Sequence, residues 1–179
     1  YFETSFYHKK ATAAQDRTIS GEFKPVENSM KKRELKPYES IFADFNQTVN
    51  DFQSDIIAVS ANSLEYSLFL EMAGKADFTV RNPFIIVGGV HSIFSPEEVL
   101  QSEYVDAVCI GEGEDTFEEF IIKYQQNEDI TGIGNLLVKK DGKIFKNDIM
   151  DLIPEDRLWS YERDYSFYDS KEYYLKPFE

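Results

Sequence analysis

The sequence predicts an α/β domain, a parallel sheet with helices on both sides. Three observations carry that reading. Three short, continuous apolar runs, in "SDIIAVSANS", "PFIIVGG" and "VDAVCIGEGE", look like strands buried on both faces. The stretches between them have helical periodicity and short connections, giving the order β-α-β-α-β-α. Each run is followed at once by small or glycine residues, where a parallel strand should end.

The opening "YFETSFY" reads as the end of a strand, rich in aromatic residues and Thr. Residues 8–37 are polar with little periodicity and read as a loop or insertion. "YESIFADFNQTVNDF" then places Ile41, Phe42, Phe45, Val49 and Phe52 at helical spacing. After the first buried run, "SLEYSLFLEMAGK" has Leu64, Leu68 and Met72 four residues apart, a second helix with Ser63 as its expected N-cap. "SPEEVLQS" opens with Ser95 and Pro96, a helix entry with Pro at the first helical position. "DTFEEFIIKYQQN" puts Phe117, Phe120, Ile121 and Tyr124 on one face, with Asp115 or Thr116 expected as cap. In "NLLVKKDGKIFKN" two alternating runs flank Asp141-Gly142, a hairpin signal. The Tyr-rich stretch beyond it has poor periodicity and reads as an extended linker. The expected organisation is an α/β domain over residues 1–130, a hairpin over 131–147 and a linker over 148–179. A doubly wound sheet usually opens with a strand and helix ahead of a segment like "FETSFY", so a further strand is expected before Tyr1.

Composition narrows the function. The net charge of −14 repels nucleic acid and anionic membrane surfaces, and the basic triplet Lys31, Lys32 and Arg33 reads as a solvated loop. The single cysteine, Cys109, lies inside an apolar run, so it forms no intrachain disulfide, builds no iron–sulfur cluster alone and is expected to be buried. No apolar run reaches membrane-span length, and "YFETSFYHKK" lacks the basic start and long apolar stretch of a signal peptide. The plain reading is a soluble protein in a reducing, cytoplasmic location.

The glycines point to a site. Gly88 and Gly89 end the second run, Gly111 and Gly113 end the third, and Ser60 ends the first with a hydroxyl to offer. Glycine lets a backbone approach a ligand closely. Singly, each has a plainer reading: a Gly-Gly is often a tight turn, Glu112 and Glu114 are ordinary loop acids, and His91 is an ordinary loop residue. Together, at three successive strand ends, they favour binding. "GEGEDT" lacks the third glycine of a dinucleotide fingerprint, and neither a P-loop nor a nucleophile elbow is present. Two distant histidines and one cysteine give no metal-ligand spacing. A flavin-binding or receiver-type module and a docking domain using the tyrosine-rich tail remain as alternatives, although "VSANS" lacks the acid a receiver domain places at that strand end.

The stretch "DIIAVSANS…PFIIVGGVHSIFSPEEVLQSEYVDAVCIGEGEDTFEEF" resembles the cobalamin-binding domain at the N-terminus of cobalamin-dependent radical SAM enzymes. The opening "FETSFY" is similar to the second strand of members related to the anaerobic magnesium-protoporphyrin IX monomethyl ester cyclase. The closing "YDSKEYYLKPFE" is similar to the stretch ahead of their radical SAM barrel. The resemblance implies a flavodoxin-like (Rossmann-type) sheet whose first strand is missing from this chain. It implies cobalamin held by Ser60, Asn62, Gly88, Gly89, Val90, His91, Gly111, Glu112 and Gly113. It also implies that the catalytic half of the parent, with its [4Fe–4S] cluster and S-adenosylmethionine, lies in a barrel outside this chain, which has no C-x-x-x-C-x-x-C. The cobalt-ligating D-x-H-x-x-G motif of other cobalamin carriers is absent, so His91 is expected near the corrin without binding cobalt.

Overall fold

The computed structural model describes residues 2, 4, 7, 36–79 and 81–158. Most of "YFETSFY", the 8–37 insertion and the tail beyond residue 158 lie outside the described residues. Tyr7 and Lys36 form an isolated parallel bridge, and both side chains bond Asp44.

Five strands form one sheet in the order β1 (Ile56–Ser60), β2 (Phe84–Gly88), β3 (Ala107–Cys109), β4 (Leu136–Lys140) and β5 (Lys143–Lys146). The first three are parallel, as the continuous apolar runs predict, but only β2 and β3 are buried: β1 is an edge strand among the described residues, half-buried with Ala58 and Ser60 exposed. The hairpin extends the sheet: β4 pairs antiparallel with β3, Cys109 opposite Leu136, and β5 forms the edge. The reason lies in composition. Leu136, Leu137 and Val138 are buried, so β4 takes the interior place, whereas every residue of β5 is exposed. Asp141 and Gly142 turn the hairpin at φ 52° and 71°, the left-handed pair that a two-residue turn requires.

Side chains alternate across the sheet and feed two cores. On one face Ile85, Val87, Val108 and Leu137 meet Ile41, Phe45 and Val49 of helix α1 (Ser40–Phe52), Tyr66, Phe69 and Met72 of α2 (Ser63–Ala73), and Val99 and Leu100 of α4 (Pro96–Gln101). On the other, Ile86, Ala107, Cys109, Leu136 and Val138 pack with Phe120 of α5 (Glu114–Gln125). A short helix α3 (Val90–Phe94), which the sequence did not announce, precedes α4, and α6 (Glu155–Leu158) closes the described chain.

Four local expectations are corrected. The buried face of α2 is Tyr66, Phe69, Met72 and Ala73, and Leu64 is 77% exposed, because the two aromatic residues have more apolar surface to bury than the Leu64 stripe. Its N-cap is Asn62, not Ser63: Asn62 Oδ1 accepts from the N–H groups of Leu64 (3.0 Å) and Glu65 (3.1 Å), and Glu65 returns a bond to the Asn62 N–H. Helix α5 starts from Gly113, with Asp115 already in its first turn and Thr116 buried, so neither residue caps it. Phe52 is 79% exposed at the end of α1, beside the outer edge of β1. That edge carries no strand among the described residues and faces a groove of about 460 Å³ lined by Phe45, Val49, Phe52, Val59 and Phe69. No helix among the described residues is long and apolar enough to cross a membrane.

Phe120 is fully enclosed against Phe84 and Tyr124, whereas Phe117, one turn earlier, is 37% exposed. Phe120→Ala is expected to cost about 3–5 kcal/mol in urea denaturation, and Phe117→Ala clearly less. Equal losses would show that the α5 face is misassigned.

Candidate functional site

The parallel register brings Ser60 beside Gly88 at the carboxyl ends of β1 and β2. Gly88 in turn lies next to Cys109, so the third strand ends in the same row. Backbone hydrogen bonds tie the first two strand-end loops together. Ala61 N–H donates to Gly88 O (3.1 Å), and Ala61 O accepts from His91 N–H (3.1 Å). The backbone of Ala61, itself buried, thereby joins the two loops.

Gly89 makes that junction. It sits at φ 89°, and a Cβ there would stand 2.7 Å from Ala61 N and 2.8 Å from Ala61 O. Only glycine combines this conformation with this approach. The sequence reading assigned the glycine to the ligand; the nearer cause is the protein's own backbone.

His91 lies in the first turn of α3 and points back into the fold. Its Nδ1 shares a hydrogen bond with Ser63 Oγ at 3.1 Å, and its ring lies 4.6 Å from that of Tyr66. Its Nε2 is enclosed without a hydrogen-bond partner among the described residues. Tyr66 donates to Val99 O, and burial pushes its phenol up. Asn62 is occupied in capping α2. Val90 is 59% exposed, and with Ile93 and Phe94 it gives α3 an apolar outer surface.

The third strand end is built on Asn135, which the sequence reading missed. Asn135 is buried at φ 62°, a conformation that Asn tolerates better than most residues. Its carbonyl accepts from Ile110 N–H (2.9 Å), and its Nδ2 donates to Glu112 O (3.2 Å) and Thr116 Oγ1 (3.0 Å). The amide lies flat against Gly111, where a Cβ would meet Asn135 Cγ at 2.6 Å. Glu112 is half-buried, and its Oε2 accepts from Ile153 N–H at 2.5 Å. Gly113, by contrast, has nothing within 4 Å of its Cβ position. Burial raises the Cys109 thiol, so it stays protonated and packs as an apolar group.

Of the nine anticipated residues, Ser60 and Val90 are exposed and Gly113 has open space at its Cβ position, while Gly88 is half-buried with its carbonyl taken by Ala61. Asn62, Gly89, His91, Gly111 and Glu112 are each committed to holding the loops. Ala61, Ser63, Thr116 and Asn135 belong to the same machinery. Their only signal in the sequence is position: small or polar residues immediately after, or opposite, a buried run. No group of three or more His, Cys, Asp or Glu side chains among the described residues is arranged to hold a metal ion.

Residues 32–121 match the family described as the B12 binding domain. The chain is 31% identical over 104 residues to "Uncharacterized methyltransferase PH0819" of Pyrococcus horikoshii, a stretch that covers 58% of this chain and 23% of that protein. Two solved structures of the cobalamin-dependent S-adenosylmethionine radical enzyme OxsB share the fold. One has aqua-cobalamin and S-adenosylmethionine bound, with TM-score 0.50, 21% identity and coverage of 67% of this chain. The other has aqua-cobalamin bound, with TM-score 0.50, 22% identity and coverage of 66%. The chain covers 17% of each OxsB structure, so it spans less than a quarter of the length of these relatives.

Gly89→Ala is expected to lower stability by roughly 1–3 kcal/mol, through strain at positive φ and the clash with Ala61. Gly113→Ala should leave it within about 1 kcal/mol, since its φ of −88° suits any residue and its Cβ meets open space. Thermal melts of the two variants check this, and equal tolerance at both positions would contradict the junction.

Proposed function

The chain belongs to the B12-binding domain family, and from that premise we propose that it holds cobalamin along the row of strand ends at Ser60, Gly88 and the 111–113 turn. The observation that carries the reading is the alignment of these three ends in one register, with open space over Gly113. The donor set suits the cofactor. A corrin is edged by primary amides, which both donate and accept, and the row offers the Ser60 hydroxyl and the second oxygen of the Glu112 carboxylate, with room for close approach over Gly113. Val90, Ile93 and Phe94 supply apolar contact beside them.

Bound cobalamin would supply an organometallic centre that carries a one-carbon group. This chain's residues bind it, orient it and keep water from one side. His91 is not a cobalt ligand in this reading, because its Nδ1 is committed to Ser63 and its Nε2 faces the interior.

The parent protein in this proposal is a cobalamin-dependent radical SAM enzyme. Residues 1–130 form its cofactor domain, 131–147 its hairpin and 148–179 a linker to a barrel that holds a [4Fe–4S] cluster and S-adenosylmethionine. A further strand on the free edge of β1 fits the same organisation. The OxsB likeness in fold and the methyltransferase name of the archaeal relative support this reading. The archaeal relative's name favours methyl transfer over the oxidative cyclisation of the magnesium-protoporphyrin IX monomethyl ester cyclase group. A cytoplasmic setting suits such an enzyme.

Hydroxocobalamin mixed with the full-length protein should co-elute with it in gel filtration, read from corrin absorbance. Elution of all the cobalamin as free cofactor from folded protein would overturn the assignment. Gly113→Leu should keep its melting temperature within a few degrees and lose most of this retention, because the new side chain fills the open space; unchanged retention would remove the 111–113 turn from the site. Cobalamin bound to His91→Ala should keep the wild-type absorbance and electron paramagnetic resonance spectra. Loss of nitrogen superhyperfine splitting in that variant would make His91 a ligand.

A further inference from the structure

The 111–113 turn is not held by its own strand alone. The chain that leaves β5 runs back over it and is fixed at four points. Met150 N–H donates to Asn135 Oδ1 (2.7 Å), Ile153 N–H donates to Glu112 Oε2 (2.5 Å), and Arg157 of α6 pairs with Asp115 in the first turn of α5. Asn135 N–H donates to Asp148 O at the start of the same segment (3.0 Å). A Cβ on Gly134 would collide with the Met150 side chain at 2.5 Å, so backbone and strap are in close contact. The apolar side chains of this strap, Ile149 and Leu152, remain exposed. Nothing in its outward surface explains why it is pinned there. Its inward contacts do, because every one of them ends on the turn, on Gly134 and Asn135 or on the first turn of α5.

We infer that residues 148–153 are a latch on the cofactor site, and that Asn135 and Glu112 are positioning residues through which latch and cofactor stabilise each other. The inference rests on the cobalamin reading above. Asn135 touches both partners: its Nδ2 fixes the Glu112 carbonyl, its Oδ1 holds Met150, and its amide plane sets the path of Gly111. Release of the strap frees the Glu112 side chain and one acceptor of Asn135, and the turn loses the constraint that holds Gly113 open. Linkage makes the effect reciprocal, so whatever cobalamin gains from an ordered turn it returns as protection of the strap. The strap leads into α6, so occupancy of the site is felt as far as the Arg157–Asp115 pair.

The test uses a residue outside the cofactor row. Ile153→Pro removes the N–H that Glu112 accepts and leaves the turn's own side chains intact. Ile153→Val keeps the N–H and serves as control. In the full-length protein, Ile153→Pro should weaken hydroxocobalamin binding about tenfold, the loss expected for one hydrogen bond to a charged group, and Ile153→Val should not. Hydrogen exchange supplies the second readout. The Met150 amide should exchange more slowly in wild type once hydroxocobalamin is added, and the slowing should vanish in Ile153→Pro. If Ile153→Pro speeds exchange at Met150 while affinity is unchanged, the strap is structural only and the latch is wrong. If wild-type affinity is normal and cobalamin leaves Met150 exchange unaltered, it is wrong as well. Wild-type protein that binds no hydroxocobalamin fails the cofactor reading itself, before any variant is compared. Should Ile153→Pro not fold, Glu112→Gln against Glu112→Ala carries the same comparison. Gln keeps an acceptor for Ile153 and should restore Met150 protection that Ala loses; equal exchange in the two variants overturns the latch.

Discussion

The backbone of Ala61 is the interaction on which the rest depends. Parallel strands end with unpaired peptide groups, and where those ends are enclosed each group needs a partner. Ala61 meets the need for two loops at once, donating to Gly88 O and accepting from His91 N–H. That exchange sets the loops after β1 and β2 at one height. It fixes Gly89 as glycine, places Ser63 against His91, and leaves Asn62 free to cap α2. The row of strand ends is level because this crossing is made within the protein, before any ligand arrives.

The glycines divide into two kinds that look alike in the sequence. Gly89 and Gly111 are required by neighbouring protein atoms, Ala61 in one case and the Asn135 amide in the other. Gly113 meets no neighbour, and its lack of a side chain opens space at the surface. A ligand site at the end of a parallel sheet needs both kinds. The first holds the loops rigid, and the second keeps the approach clear. The same division explains why His91 and Glu112, which read as candidate contacts, prove to be largely spoken for: their hydrogen bonds hold the frame on which the open positions sit.

Much of the fold was legible. Residues 56–59 and 84–87 are apolar without alternation, the mark of a strand covered on both sides; residues 84–87 are so covered, whereas 56–59 form the half-buried edge strand with Ala58 exposed. Asp141-Gly142 announced its turn because few other pairs accept two positive φ angles. The misreadings share a cause. Leu64 fits a four-residue stripe, yet the larger aromatic residues Tyr66 and Phe69 decide which way α2 faces. Asn62 and Ser63 are both good caps by type, and only the reach of Glu65 chooses between them. The placing of β4 beside β3 depends on its match to a distant strand, and α3 is too short for a period. Asn135 is the extreme case: its side-chain partners lie 15 to 23 residues away, so no local pattern reports them.

The central claim is that cobalamin lies along one row of strand ends. Amide chemical shifts of the protein titrated with hydroxocobalamin address it directly. The account predicts the largest changes at residues 60–63, 88–91 and 111–113, with the β4–β5 turn unmoved. Changes concentrated on that turn or in the groove along the outer edge of β1, with the row silent, would contradict it.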